Sequence, residues 1–118
     1  MGKTSVFGKR GEEEAEKYLK NIGYKILSKN FRCKVGEIDI IAYDQNCFVF
    51  VEVKTRSSTL WGEPAESIRR KKLNSIIKTS QYYLLLNKKT QSRYRIDAIE
   101  VFFSEGRFGI NHIKNITL

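Results

Sequence analysis

Two neighbouring stretches decide how this chain folds: GEIDIIAYD at 36–44 and, after Gln45 and Asn46, CFVFVEVKTR at 47–56. Both are rich in β-branched and aromatic residues, and the short polar break between them reads as the turn of a β-hairpin. With Gln45-Asn46 as a two-residue loop, Asp44 lies opposite Cys47. Counting back along both strands then sets Asp39 opposite Glu52 and Glu37 opposite Lys54. A four-residue loop keeps that pairing. A three-residue loop sets Asp39 opposite Val51 and sends the two acids to different faces. Asn46 tolerates positive φ, although Gln-Asn is a weak turn signal.

Directly opposed residues share a face, with Cβ atoms about 4.5–5.5 Å apart. Asp39 and Glu52 are then close enough to hold one divalent cation, and too close for both to stay ionised comfortably without one. The plainer alternative is a solvated hairpin face carrying ordinary charges. Against it, Val49, Val51 and Val53 make one face apolar, while Phe48, Phe50 and Ile41 make the charged face apolar as well. An uncompensated charge on a covered face costs several kcal/mol. Asp39, Glu52 and Lys54 therefore read as a site.

Gly-Glu-Ile-Asp-Ile-Ile-Ala followed by Phe-Val-Glu-Val-Lys-Thr-Arg resembles the YraN-like family of small bacterial proteins. Gly8-x-x-Gly11-Glu12-x-x-Ala15 near the start and Arg95-Ile96-Asp97 near the end extend the likeness over nearly the whole chain. That family looks related to the PD-(D/E)XK nuclease superfamily, closest in layout to archaeal Holliday junction resolvases. The resemblance implies catalytic roles for Asp39, Glu52 and Lys54, and it maps the helical acid of resolvase-like members onto Glu12. Ile38 stands where the superfamily pattern has its proline. The implied reaction is metal-dependent hydrolysis of phosphodiester bonds in DNA, branched or structured DNA included. Asp39, Glu52 and the Val53 carbonyl would hold Mg²⁺ or Mn²⁺, with Glu12 completing the site or binding a second ion. A symmetric homodimer acting on two strands is implied as well.

Helix geometry gives an independent reading of Glu12. Phe7, Gly11, Ala15, Tyr18, Leu19 and Ile22 recur at spacings of three and four, which predicts an amphipathic helix from about residue 6 to 21. Glu12 falls on the edge of its apolar stripe, whereas Glu13, Glu14 and Glu16 turn further out, as a solvated face or as partners for Lys17 and Lys20. Glu12 also suits a helix N-terminus, where the macrodipole favours an acid.

The 118 residues carry 22 Lys and Arg against 13 acids, a net charge of +9. An anionic partner, nucleic acid first, is the expectation. The excess lies after residue 50 and is densest at Arg69-Arg70-Lys71-Lys72, which would grip phosphates, as would Arg56 and Thr55. A basic helix that merely keeps the chain soluble is the blander reading. No segment reaches the ~18 apolar residues of a membrane span, and no signal peptide opens the chain, so a cytoplasmic protein without a membrane partner is expected. Cys33 and Cys47 lack C-x-x-C spacing and read as reduced thiols rather than as zinc ligands or a disulfide.

The remaining chain reads as scaffold in one domain, 1–118. Residues 24–31 form a first strand. Pro64 opens a long helix over about 64–87, in which Glu66 and Arg70 can pair. Strands follow at about 93–103 and 108–116, with breaks at 87–92 and 104–107. Gln81 reads as a surface polar residue, Asp97 as a partner of Arg95 or Arg93, and His112 as a histidine without a general-base partner. The order αβββαββ points to an α/β restriction-endonuclease-like core, a mixed sheet flanked by two main helices. Two rival functions keep this fold: a nucleic-acid-binding module without catalysis, and a structural partner in a DNA repair or uptake assembly.

Overall fold

A computed structural model of the chain describes residues 6–57 and 70–117. Its elements are α1 (Val6–Asn21), β1 (Lys25–Cys33), β2 (Gly36–Asp44), β3 (Cys47–Ser57), α2 (Arg70–Leu86), β4 (Arg93–Ser104) and β5 (Arg107–Ile113). This is the expected αβββαββ order. The expected start of the second helix, with Pro64, Glu66 and Arg69, lies outside the described residues. Five strands form one mixed sheet in the order β1-β2-β3-β4-β5. Only β3 and β4 run parallel, which is what a helical crossover through α2 requires.

The hairpin turn has the predicted parity. Gln45 and Asn46 both take positive φ, 48° and 65°, and Asp44 pairs with Cys47. Two consecutive left-handed residues match the right-handed twist of the strands they join. The ladder then runs only as far as Ile40 opposite Val51. Neither the expected pairing of Asp39 with Glu52 nor that of Glu37 with Lys54 is part of it. Glu37 pairs instead with β1, where it lies opposite Arg32 and forms a 3.1 Å ion pair with it.

Each face of the sheet is covered by one helix. Ala15 and Leu19 of α1 are buried against Ile40, Ala42, Val49, Val51, Val53, Ile99 and Val101. On the other face Ile76 and Leu84 of α2 join Ile38, Ile41, Phe48, Phe50 and Ile96. The expected apolar stripe of α1 is thus buried at its centre, while Phe7 and Ile22 at its two ends are exposed. Gly23 stops α1: at φ 99° it sends its own N–H to the Lys20 carbonyl and places the Tyr24 N–H 2.9 Å from the Leu19 carbonyl. Lys88 ends α2 with the same bonding pattern, adopting φ 57° where glycine is the usual residue.

No helix of the described residues is long and apolar enough to cross a membrane. Cys33 and Cys47 are free thiols.

Candidate functional site

Strict alternation along β2 fails at one place. Ile38 and Ile41 both join the cluster under α2, while Ile40 joins the one under α1. The strand therefore changes face around Asp39, which is where its pairing with β3 ends. Beyond that point the Val53 N–H has lost its backbone acceptor on β2, and a buried donor left so would cost roughly 1–3 kcal/mol. The Asp39 carboxylate supplies the acceptor: Val53 N–H donates to Asp39 Oδ2 at 2.7 Å. In an extended strand the N–H and C=O of one residue point to the same side. The Val53 carbonyl therefore faces the same gap as Asp39.

Glu52, one residue earlier on β3, shares the parity of Phe48 and Phe50 and lies on the α2 face. Both acids are deeply buried, Asp39 at 2% and Glu52 at 3% of their full exposure. Glu52 Oε2 stands 3.5 Å from Lys72 Nζ, an ammonium delivered by the first turn of α2. Lys72 was expected to reach outward to phosphate; it reaches a buried carboxylate instead. Lys54 follows two residues after Glu52, half-buried and on the same face.

Glu12 does turn inward. It lines, together with Asp39, Lys9, Glu16, Lys29 and Asn30, a cavity of about 80 Å³ between α1 and the β1–β2 edge. Gly11 brings the helix this close, because a Cβ at that position would overlap Thr55 Oγ1. Thr55, expected on the phosphate backbone, is therefore packed beneath α1 on the face opposite Lys54. Glu13, expected on the solvated side, also lines this cavity, and so does Glu16, of which the same was expected. The Glu16 carboxylate is held by Lys20 and Lys29, both at 3.0 Å, and these bonds lower its pKa. Lys17 pairs with Glu14 at 3.2 Å.

Arg56 was another expected phosphate contact. Its side chain is only 13% exposed, and Nε lies 3.3 Å from Glu100 Oε2. The contact is ionic, since Nε makes no hydrogen bond in that geometry. Glu100 is a buried acid that the alternation of β4 alone does not single out. It neighbours Lys54 across the parallel β3–β4 ladder and accepts a 2.8 Å hydrogen bond from Asn111 Nδ2. A signal was present: Glu105-Gly106 reads as a two-residue turn, and counting back from it sets Glu100 opposite Asn111, as observed. Of the basic run, Arg70, Lys71 and Lys72 occupy the exposed first turn of α2, and Arg69 lies outside the described residues.

His112 needs a correction. Its Nε2 lies 2.8 Å from Asp97 Oδ2 and its Nδ1 lies 2.9 Å from the Tyr18 hydroxyl. Asp97 is fully buried and also binds Arg95, the expected partner, through Nε at 2.9 Å and an amino group at 3.2 Å. The Asn115 N–H adds a fourth bond, at 2.9 Å. Burial pushes the Asp97 carboxyl up, but the bonds from His112, Arg95 and Asn115 outweigh it and hold the group below its ordinary 3.8. Burial likewise raises the Tyr18 and Tyr24 hydroxyls, and Arg95 binds the latter at 2.6 Å. This cluster ties α1, the turn that follows it, β4 and β5 together and reads as structure. Gln81, as expected, is exposed.

What the arrangement offers chemically is a set of hard oxygen donors. Among the described residues, no three His, Cys, Asp or Glu side chains gather closely enough to hold a metal by themselves. Mg²⁺ does not require that: it keeps several waters and commonly takes one or two carboxylates plus substrate phosphates. Asp39 and the Val53 carbonyl at the gap, Glu52 one residue earlier on β3 and Glu12 across the cavity are oxygen donors of the kind such an ion takes.

Comparison with known proteins gives a consistent picture. Residues 11–101 match the model of a family described as "Uncharacterised protein family UPF0102". A UPF0102 protein of Clostridium botulinum (strain Kyoto / Type A2) is 49% identical over 111 residues, 92% of this chain and 90% of the relative. One from Persephonella marina is 48% identical over 93% of this chain and 91% of its own length. A third, from Caldicellulosiruptor saccharolyticus, is 44% identical over 92% and 93%.

Proposed function

The chain belongs to the UPF0102 family, and from its site we propose that it is a metal-dependent endonuclease hydrolysing phosphodiester bonds in DNA. One observation carries this reading. Two acids, each nearly inaccessible to water, stand on adjacent strands where those strands part, beside a half-buried lysine and the basic first turn of a helix. A purely structural role would favour apolar residues there, because burying carboxylates costs several kcal/mol each.

Asp39, Glu52 and the Val53 carbonyl would hold Mg²⁺ or Mn²⁺. Bound there, the ion supplies Lewis acidity and a more acidic water. The Val53 N–H fixes Asp39 Oδ2 and so orients the carboxylate. Lys54 presents an ammonium to the charge that develops on the phosphate. Arg70 and Lys71 hold the backbone beyond it. The likeness of the GEID and EVK motifs to the PD-(D/E)XK nucleases supports the same assignment, and likeness to Holliday junction resolvases favours branched DNA. Cutting both strands of a junction would call for two copies of the chain.

The Lys72–Glu52 pair favours a second reading. An ammonium at 3.5 Å compensates Glu52 without any metal, as suits a DNA-binding module that has no catalytic step. The two separate in one assay. Protein with Mg²⁺ or Mn²⁺ is offered single-stranded, duplex, flapped and four-way DNA. The nuclease reading expects cutting that Asp39→Ala and Lys54→Ala abolish while binding survives. Salt-sensitive binding with no cutting of any substrate by the wild type selects the module. Neither binding nor cutting selects a structural role in a larger assembly.

A further inference from the structure

Glu100 and Asn111 have no part in the metal chemistry, yet they place a buried carboxylate beside two of the cations on the α2 face. Along β3, Lys54 and Arg56 point to the same side, two residues and therefore about 6.6–6.8 Å apart. That step is comparable to the separation of successive phosphates along a nucleic-acid strand. Arg56 is nearly buried, and its Nε is turned inward towards Glu100 Oε2 at 3.3 Å. Glu100 is itself held by Asn111 at 2.8 Å. An arginine whose Nε faces a buried carboxylate turns its two amino groups away from it, and their planar fork suits phosphate better than a lysine would.

We propose that Arg56, held by Glu100 and Asn111, is a phosphate subsite that takes the diester next to the one facing Lys54. Arg56 makes the contact, and Glu100 and Asn111 are positioning residues. The subsite rests on the reading of this face as a DNA site, but it requires binding only and not cutting. It gives the substrate a direction: the strand runs along β3 from Glu52 past Lys54 to Arg56.

The test is the salt dependence of DNA binding, measured without divalent metal by fluorescence anisotropy on a labelled duplex. Each phosphate contact contributes about 0.9 to the slope of log affinity against log salt. Arg56→Gln is expected to lower that slope by about one and to weaken binding roughly tenfold. Glu100→Gln decides the role of the acid. It adds one unit of positive charge, so a merely electrostatic influence would tighten binding and leave the slope unchanged. Positioning predicts the opposite, weaker binding with a slope reduced by up to about one. Asn111→Ala, at an exposed residue and with no change in charge, is expected to weaken binding in the same direction if Glu100→Gln does not fold. Tighter binding by Glu100→Gln, or an unchanged slope and affinity in Arg56→Gln or Asn111→Ala, overturns the proposal. If these slopes fall as expected while no DNA is cut, the subsite stands and the nuclease reading fails.

Discussion

Replacing Asp97 by Asn removes the negative charge of a fully buried, densely bonded acid, and the consequence can be worked from its surroundings. Asp97 has no exposure to solvent and receives bonds from Arg95 at 2.9 and 3.2 Å, from His112 at 2.8 Å and from the Asn115 N–H at 2.9 Å. Asn retains one acceptor oxygen but leaves the mostly buried Arg95 guanidinium without its counterion. Breaking a buried pair from one side costs about 3–5 kcal/mol, a large part of the 5–15 kcal/mol typical of a domain. Urea denaturation at neutral pH should show that loss as a midpoint lowered by roughly 2 M for a typical urea slope. The pH dependence gives a second, signed test. The Asp97 carboxyl is held below its ordinary 3.8 in the folded protein. A depressed folded value means stability that is fully present above about pH 4 and is lost as pH falls through the folded value. The difference in stability between wild type and Asp97→Asn should therefore narrow as pH falls below about 4. A loss smaller than about 1 kcal/mol, or a difference that does not narrow in acid, would refute the account of this cluster.

Three further outcomes follow from the same structure. Gly11→Ala should destabilise by about 1–3 kcal/mol of overpacking against Thr55, offset by about 1 kcal/mol of helix propensity, and in a Thr55→Ala background the penalty should shrink or reverse. Equal effects in both backgrounds, read from urea curves, would mean that the close approach of α1 is not there. Gln45→Asn should stabilise the hairpin by up to about 1 kcal/mol, because Gln45 holds a left-handed conformation that Asn adopts more readily; a destabilised variant would contradict the turn assignment. Mg²⁺ at a hundredfold over its dissociation constant should raise stability by about 2.7 kcal/mol, seen as a thermal shift that Glu52→Gln removes. A shift of the same size in that variant would place the ion elsewhere.

Much of this architecture is legible in the chain because it depends on local periods. Alternation around Ile40 to Val53 gives the hairpin, the Gln45-Asn46 loop gives its parity, and the spacing of Ala15, Tyr18 and Leu19 gives the buried stripe of α1. The parting of β2 from β3 at Asp39 is not legible in that way. It shows only when the Val53 N–H is seen to take a carboxylate as its acceptor. The neighbourhood of Lys54 and Glu100 depends on a parallel register set by the α2 crossover, which no short-range pattern encodes. His112 and Asp97 meet across the β4–β5 hairpin diagonally, with Tyr18 brought in from α1. The pairing of Lys72 with Glu52 is not legible either, because a place beside the apolar stripe of α2 says nothing about the buried acid underneath.

The central claim, a cation gripped between β2 and β3, is tested most directly by anomalous diffraction from crystals soaked in Mn²⁺. The account predicts a single strong peak in contact with the carboxylates of both Asp39 and Glu52, absent from crystals of Asp39→Asn. Soaked crystals with no peak at those two side chains, or with the same peak retained in the Asp39→Asn protein, would contradict it.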